Sequence, residues 1–355
     1  VDAILSQLDD ASRREVNVLL GYSEDDAGGL MNPRFARVRP DMSIDEAIGY
    51  LRKQAREKVE TVYYAYVLDA EQRLQGVLSL RQLFQAAPDK RVADVMIRDV
   101  ITVAENTDQE AVSRTFSEHS FMAMPVVDEQ RRMKGIVTVD DIVDVVQEEA
   151  TEDIQKVGGM EALDAPYFDV GFLAMLKKRA GWLMVLFLGE MLTATAMGYF
   201  EHEIARAVVL SLFIPLIISS GGNSGSQATT LIIRSLALSE MRLKDWWRVA
   251  RRELSTGLAL GAVLGIVGFL RVMAWQALFH SYGDHAFLIG MTVGVSLVGV
   301  VIFGTLSGSM LPFILRRVGF DPASASAPFV ATLVDVTGLV IYFTAASLFL
   351  SGTLL

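Results

Sequence analysis

Long apolar stretches occupy only the second half of the chain. Five of them are long enough to cross a bilayer as helices, near residues 180–200, 206–233, 254–275, 286–312 and 328–352. The first half instead alternates short apolar runs of strand length with amphipathic helical patterns, which indicates a soluble α+β fold. The pattern therefore predicts α+β soluble domains followed by an all-α transmembrane domain of five helices.

Charge divides the chain at the same place. Residues 1–170 carry 19 basic and 33 acidic side chains, whereas residues 171–355 carry 13 basic and 9 acidic ones. The basic residues of the second half cluster before the first span, between the second and third, and between the fourth and fifth. Because positively charged loops favour the cytoplasmic side, we predict cytoplasmic N-terminal domains and an extracytoplasmic C-terminus.

The residues give no support to catalytic or thiol chemistry. The chain has no cysteine, which excludes disulfides and thiolate metal sites. Its four histidines are scattered, and it contains no phosphate-binding loop, nucleophile elbow or zinc-ligand spacing. We therefore expect neither an enzyme nor a nucleic-acid partner.

Asp335 lies near the middle of the fifth apolar stretch. A carboxylate at that depth costs roughly 2.5–3.5 kcal/mol on insertion scales, so such a residue normally faces a partner, a water-filled path or an ion. We favour a path for a divalent cation, and a protonated or partnered structural Asp is the alternative. Glu190, in the first span, either lines that path or pairs with a residue such as Arg206 or Arg271; we expect the pair.

The second span is unusually polar. Pro215 interrupts its apolar run, and residues 219–227 read Ser-Ser-Gly-Gly-Asn-Ser-Gly-Ser-Gln. Unwound polar backbone survives at membrane depth only where protein or water covers it. We expect an unwound stretch whose carbonyl groups, together with the Asn223 side chain, offer oxygen ligands to a hard cation. Close helix packing through small residues is the alternative.

Two stretches of the soluble half resemble each other. One runs from Met31 to residues 76–80, and the other runs from Met96 to residues 135–139. The offset is 65 residues at the start and 59 at the end, so the first copy is longer. Each copy is predicted as a short strand, a helix, two strands and a second helix. The predicted strand pairs are 62–68 with 76–80 and 123–127 with 135–139.

The paired repeats resemble a tandem of CBS domains, most clearly at Gly135-Ile136-Val137-Thr138-Val139-Asp140-Asp141. Such pairs often bind adenine nucleotides, with a Thr or Ser and the Asp three residues on holding the ribose. Thr138 and Asp141 match, which implies ATP at this pair, whereas Ser79 is followed by Gln82 in the first copy. A purely structural pair is the alternative.

Residues 140–169 contain ten acidic side chains and one basic residue, Lys156. Four of the acidic residues share one face of the predicted helix: Asp141, Asp144, Glu148 and Glu152. Like charges at this spacing repel, and bound Mg²⁺ would reverse the repulsion because hard cations take carboxylate oxygens. A Mg²⁺ sensor is one interpretation of this segment, and a solvated acidic helix is the other.

Residues 20–355 as a whole resemble the MgtE family of magnesium channels. The specific motifs are Pro215 with residues 221–227, Leu311-Pro312, Asp321-Pro322-Ala323 and residues 331–338. The resemblance implies a homodimer in the lipid of the bacterial plasma membrane, with one Mg²⁺ pore lined by the second and fifth spans. Mn²⁺, Co²⁺ and Ni²⁺ also accept oxygen ligands, so the selectivity order stays open.

The resemblance also implies roles for single residues. Asp335 would recognise hydrated Mg²⁺ in the pore, with Asn223, Gly222 and Ala331 nearby. A plug helix over residues 149–163 would close the pore. Six carboxylates would occupy Mg²⁺-sensor positions: Glu110, Asp141, Asp144, Glu149, Glu152 and Asp153.

Two features depart from that family. Ser120 stands where an acidic sensor residue is expected. Residues 1–30, with Ile4, Leu5 and Leu8 in an amphipathic pattern, resemble only the tail of the family's helical N-domain. The other predicted segments are a first CBS domain at 31–91, a second at 92–148, plug and connecting helices at 149–178 and the pore domain at 179–355.

Two further functions are compatible with the residues. Glu190 and Asp335 could act as relay groups in a proton-coupled divalent-cation carrier. The chain could instead be a membrane-anchored nucleotide sensor without a transport role. We favour the Mg²⁺-gated channel, in which cytosolic Mg²⁺ neutralises the acidic residues and closes the pore.

Overall fold

Two units make up the chain, Val1–Ala150 and Thr151–Leu355. The computed structural model describes residues 9–56, 59–238 and 240–354, so the amphipathic pattern of Ile4, Leu5 and Leu8 lies outside the described residues. The described part opens with helix α1 (Asp10–Leu19) and a short helix α2 (Ala27–Leu30).

The first unit contains two copies of one small fold. The first copy comprises β1 (Arg37–Val38), α3 (Ile44–Gln54), β2 (Tyr64–Leu68), β3 (Leu74–Ser79) and α4 (Leu80–Gln85). A short helix, α5 (Val92–Val95), precedes the second copy. That copy comprises β4 (Val103–Ala104), α6 (Gln109–His119), β5 (Ala123–Val127), β6 (Met133–Thr138) and α7 (Val139–Val157).

Each copy has one three-stranded sheet with the same mixed topology. The first strand pairs in parallel with the second, and the second pairs antiparallel with the third. The register shifts at the end of the middle strand in both copies, at Val67/Leu68 and Val126/Val127. The predicted order of strands and helices is confirmed.

Backbone bridges between the copies follow the two sequence offsets. Asn32 and Ile136 exchange N–H···O bonds of 2.7 and 2.9 Å, and Val77 and Ile97 exchange two of 2.9 Å. The two bridges are equivalent under the repeat, because Asn32 and Ile97 are 65 residues apart and Val77 and Ile136 are 59 apart. Buried residues of both copies form one shared cluster: Tyr66, Leu68, Leu74, Ala123, Val127, Met133 and Ile136.

The second unit is built from helices. They are α8 (Phe172–Tyr199), α9 (Glu201–Arg206), α10 (Ile214–Ala237), α11 (Trp246–Phe279), α12 (Ala286–Arg317) and α13 (Ala327–Leu350). Within the described residues, five segments are long and apolar enough to cross a membrane: Phe172–Tyr199, Val208–Ala237, Leu243–Phe279, Gly283–Arg317 and Ala327–Leu350. The predicted set of five apolar helices is confirmed.

The second span is a continuous helix, so the predicted unwound stretch is wrong. Helix α10 runs unbroken through residues 219–227. Pro215 lies in its first turn, where the missing N–H would have no partner within the helix in any case. The carbonyl groups of the polar run therefore lie within a regular helix, where they accept backbone hydrogen bonds.

Glycines bring the backbones of α10 and α12 into contact. A Cβ on Gly304 would lie 2.3 Å from the carbonyl oxygen of Gly221, and a Cβ on Gly308 would lie 2.2 Å from that of Gly225. The buried Thr229 hydroxyl donates to the Gly308 carbonyl at 2.9 Å. Close packing through small residues therefore accounts for the glycines of the polar run.

We predict that Gly304→Ala destabilises the second unit. The new methyl would meet backbone rather than a movable side chain, and overpacking of this kind costs about 1–3 kcal/mol. Thermal unfolding of the detergent-purified protein would therefore move to lower temperature. The matched control is Gly198→Ala in α8, where a Cβ would meet nothing within 4 Å. An unchanged midpoint for Gly304→Ala would contradict the contact.

Candidate functional site

The carboxyl groups of Asp335 and Glu190 are neighbours in the second unit, where Asp335 is half-buried and Glu190 is exposed. Asp335 lies near the middle of α13, and its carboxyl group is close enough to that of Glu190 on α8 for the two groups to interact electrostatically. Gly189 permits this approach, because a Cβ there would lie 2.8 Å from Thr332 Cγ2 on α13. The packing of a glycine against α13 thus brings the two acids together.

The expected pairing of Glu190 with Arg206 or Arg271 is wrong. No ion pair joins Glu190 to either arginine within the part of the chain that the structure describes. Arg271 instead donates to the Tyr282 hydroxyl at 2.7 Å, and its guanidinium lies 4.0 Å from the centre of the Trp275 ring. Sequence spacing could not show this, because the true neighbour of Glu190 is on the last helix.

Two neighbouring carboxylates on membrane-spanning helices repel each other unless a positive charge compensates them. Two carboxylates about 4 Å apart repel by roughly 4 kcal/mol at an effective dielectric constant of 20. A shared proton or a bound cation relieves that repulsion. The geometry can therefore hold a cation through carboxylate oxygens or pass a proton between the two groups.

Two of the remaining pore candidates, Gly222 and Ala331, lie on the faces that α10 and α13 turn to each other. A Cβ on Gly222 would lie 3.5 Å from the Cβ of Ala331, so these two residues face each other. Asp335 is one turn beyond Ala331 and shares its helix face. Asn223 follows Gly222 and is exposed, with its Nδ2 atom 3.5 Å from Ser219 Oγ. The small residues leave room one turn from the carboxyl group, and Asn223 presents its amide at the exposed surface of α10.

Lys156 lies between two carboxylates at the end of α7. It forms ion pairs with Glu152, one turn earlier, and with Asp321, at 2.6 Å, in the loop before α13. Burial opposes its charge, but the hydrogen bonds and charges of Asp321 and Glu152 prevail and raise its pKa above the usual value. The ammonium is therefore charged throughout the physiological pH range.

Asp321 connects this ion pair to the backbone before α13. Its Oδ1 atom accepts a hydrogen bond from the Ala323 N–H at 2.8 Å, while its Oδ2 atom accepts from Lys156. Val157 packs beside Lys156 against a cluster of Ile233, Ala323 and Ala325. The Asp321-Pro322-Ala323 motif is therefore a turn that receives the end of α7.

A tryptophan makes a second connection to the start of α13. Trp182 Nε1 donates to Ser326 Oγ at 3.1 Å, and Ser326 caps α13 by accepting from the Phe329 N–H at 3.3 Å. Gly159, with φ of +76°, lies against the same indole ring, where a Cβ would be 2.9 Å from it. The segment after α7 is thus packed against the residues that begin the helix of Asp335.

Sequence reasoning missed the role of Lys156. The available signal was that Lys156 is the one basic residue among the ten acids of residues 140–169. In the sequence, its distant partner Asp321 stands out only as part of the Asp321-Pro322-Ala323 motif. A lone lysine in an acidic segment predicts an ion pair with some carboxylate, but it does not predict one 165 positions away.

The structure gives partners within the chain for four predicted sensor carboxylates: Glu110, Asp141, Glu149 and Glu152. Glu110 pairs with Arg114 at 2.8 Å, and Glu149 accepts from Gln109 at 2.7 Å. Glu152 belongs to the Lys156 ion pair, Asp141 accepts from Thr138, and Asp144 is exposed. Among the described residues, no three His, Cys, Asp or Glu side chains lie close enough to hold a metal ion. The sensor roles, including that of Asp153, stay predictions.

A cleft in the first unit contains the predicted nucleotide residue Thr138. The cleft has a volume of about 590 Å³ and is lined by both copies, including Val62, Tyr63, Met122 and Thr138. The Thr138 hydroxyl donates to the Asp141 carboxylate at 2.7 Å, so the two predicted ribose partners lie together. Ser79 and Gln82 make the equivalent contact in the first copy, where they form a helix cap.

Comparison with known proteins gives a consistent result. The family model described as "Divalent cation transporter" matches residues 214–345, and the CBS domain model matches residues 27–89 and 92–148. "Magnesium transporter MgtE" of Thermus thermophilus is 45% identical over 345 residues, which cover 97% of this chain and 74% of that protein. The protein of the same name from Enterococcus faecalis is 35% identical over 336 residues, covering 95% and 72%.

Solved structures also match part of the chain, and one of them is similar in sequence. "Crystal structure of the cytosolic domain of the Mg2+ channel MgtE in complex with ATP" is 47% identical. The match covers 41% of this chain and 58% of that one, with a TM-score of 0.40.

Proposed function

The chain belongs to the MgtE family of divalent cation transporters, and we propose that it is a homodimeric, Mg²⁺-gated channel that carries Mg²⁺ into the cytoplasm. The family consists of magnesium transporters, so the expectation of a non-enzymatic protein is confirmed. The observation that carries the channel proposal is the carboxyl group of Asp335, half-buried in the last apolar helix beside Glu190.

The ion that best fits such a site is hydrated Mg²⁺. Mg²⁺ gives up its waters reluctantly and is usually bound through one or two carboxylates. Asp335, the small Gly222 and Ala331, and the exposed Asn223 would supply oxygen atoms and space for an ion that keeps most of its water. Two copies of α13 facing each other would complete the path. Entry would be driven by the membrane potential, worth about 2.3 kcal/mol per charge per 100 mV.

We predict that Asp335→Ala abolishes Mg²⁺ uptake. The variant removes the negative charge that attracts and compensates the hydrated cation at membrane depth. Uptake would be followed with a Mg²⁺-sensitive dye in proteoliposomes, and dimerisation by size-exclusion chromatography. Asp284→Asn is the matched control, because it removes a carboxylate from the turn before α12. Wild-type uptake by Asp335→Ala would refute the pore assignment.

Gating in this proposal acts through the contacts at the end of α7. The ion pair of Lys156 with Asp321 and the packing of Val157 and Trp182 support a closed position of the plug region against the start of α13. Mg²⁺ bound by the acidic sensor residues would favour this state. A ligand can shift such an equilibrium only by its difference in affinity between the two states, so several weak sites acting together would make the switch steep.

We predict that Lys156→Met raises the Mg²⁺ concentration needed to half-close the channel by roughly tenfold. The variant removes a hydrogen-bonded ion pair of the closed state, and bonds to charged groups contribute about 1.5–3 kcal/mol. Flux into proteoliposomes would be recorded against Mg²⁺ on the side of the first unit.

Lys156→Arg is the matching control. It keeps a positive charge beside Asp321 and Glu152 and should therefore retain most of the wild-type Mg²⁺ response. An unchanged response in Lys156→Met, or an equally large shift in Lys156→Arg, would remove this contact from the gating proposal.

Orientation and oligomeric state follow from the same proposal. Basic residues at alternate ends of the spans favour cytoplasmic N-terminal domains, an extracytoplasmic C-terminus and insertion in the bacterial plasma membrane. A second copy would supply the facing Asp335 and the missing ligands for sensor carboxylates such as Glu110. Mn²⁺, Co²⁺ and Ni²⁺ are further candidate ions, because they accept the same oxygen ligands.

The cleft of the first unit supports ATP as a regulatory ligand. Thr138 and Tyr63 line its volume of about 590 Å³, and the Thr138 hydroxyl donates to the Asp141 carboxylate. We predict that Asp141→Asn weakens ATP binding about tenfold or more, because a charged acceptor for the ribose hydroxyls is lost. Isothermal titration with ATP would measure this, with Glu129→Gln, an exposed acid of the same unit, as control. Equal affinities for Asp141→Asn and wild type would favour a purely structural CBS pair.

The contact between Glu190 and Asp335 also favours a second candidate, a proton-coupled divalent-cation carrier. Two neighbouring carboxyl groups can share a proton. Flux of Mg²⁺ that persists when the proton gradient is abolished would exclude this function and leave the channel.

A further inference from the structure

Basic side chains crowd the start of α11 and the turn before it. Five lie within eleven residues, and together they form what we call the basic patch: Arg242, Lys244, Arg248, Arg251 and Arg252. All five are exposed. None of them forms an ion pair with another described residue. The patch therefore presents a concentrated positive charge at one end of a membrane span.

The packing of α11 turns three of these arginines outward. Val249 is buried against Phe313 of α12 and fixes the inner face of the first turns. At about 100° per residue, Arg251 then lies on the side of the helix opposite Val249, whereas Arg248 and Arg252 flank the inner face. All three side chains are exposed. Trp247 is also exposed, and the Arg251 guanidinium lies 5.7 Å from the centre of its ring.

An apolar stripe continues from this patch along the span. Trp247, Arg251, Leu254 and Leu258 are spaced four, three and four residues apart, so they follow one side of α11. Leu254 and Leu258 are 47% and 53% exposed. The helix thus offers a charged end with an indole ring and, directly beyond it, an apolar track.

Arg316 adds a polar group that lacks a partner at the same end of the bundle. It follows Phe313 by three residues, so it shares the face of α12 that packs on Val249. Its Nη1 atom is enclosed and has no hydrogen-bond partner among the described residues. Leaving a buried charged donor unpaired is unfavourable, and an anion drawn to this end of the helices would offset that charge.

We propose that the basic patch binds the headgroup of an anionic phospholipid. Guanidinium groups match phosphate oxygens with two parallel hydrogen bonds, and tryptophan favours the level of the headgroups. The apolar stripe of Leu254 and Leu258 would accommodate an acyl chain. This combination fits a lipid better than a free phosphate, which has nothing to place against the stripe.

The test compares two lipids that differ only in headgroup charge. The purified chain of 355 residues would be titrated in detergent with phosphatidylglycerol or with phosphatidylcholine of identical acyl chains, and bound lipid would be counted by native mass spectrometry. Wild type should retain phosphatidylglycerol preferentially. The triple variant Arg248→Gln, Arg251→Gln and Arg252→Gln should bind it on the order of 100-fold more weakly, since each basic residue near an anionic lipid surface contributes about 1 kcal/mol.

Matched controls distinguish a specific lipid-binding site from an effect of the net charge of the protein. The triple variant Arg52→Gln, Lys53→Gln and Arg81→Gln changes the net charge equally in exposed residues of the first unit and should bind as wild type does. An equal loss in both triple variants, or no headgroup preference in wild type, would overturn the proposal. Full competition by glycerol 3-phosphate would overturn it in favour of a soluble anion.

A second measurement covers the case in which the triple variant fails to fold. Arg251→Lys keeps the charge but loses the paired hydrogen bonds, and it should weaken the phosphatidylglycerol preference without abolishing it. An unchanged preference in Arg251→Lys would count against a phosphate-directed guanidinium. Because ion flux is not measured, failure of the channel proposal would leave this test unaffected.

Discussion

Direct contact between helix backbones is the constraint on which the second unit depends. Helices in lipid gain little from hydrophobic burial, so they associate through close packing and small residues. Gly221 and Gly225 of α10 meet Gly304 and Gly308 of α12 with no room for a side chain. Once these helices are fixed, α13 packs on both, because Val330 and Val334 fill the space beside Gly225 and Gly221. The position of Asp335, one residue beyond Val334, follows from this packing.

An acidic pair is stable in such a bundle only when something offsets its charge. The glycine contact at Gly189 brings Glu190 toward Asp335, although a less close approach of α8 would have kept the two acids apart. The arrangement therefore lowers the stability of a protein with a purely structural role. In a protein that attracts cations, the same arrangement favours cation binding. In this view the same small residues that pack the helices also create the electrostatic condition for transport.

The sequence predicted local features better than distant pairings. Periodicity gave the five apolar helices and the strands of both repeats, and the offsets of 65 and 59 residues reappear in the bridges of Asn32 and Val77. Pro215 was misread because a proline has one sequence signature whether it starts a helix or breaks one, and only the neighbouring helices decide. The partner of Glu190 was misread because it lies on another element far along the chain. The pore and sensor roles stay predictions.

The contacts before α13 explain how a change outside the bundle could reach Asp335. Lys156 and Val157 hold the turn at Asp321, and Trp182 holds Ser326, which caps the helix. Asp335 is nine residues beyond that cap on the same rigid rod. A helix transmits a rotation or shift of its first turn to a residue two to three turns away, whereas a flexible link would absorb it. Loss of the ion pair between Lys156 and Asp321 would therefore move the Asp335 carboxyl group, although that group does not contact the ion pair.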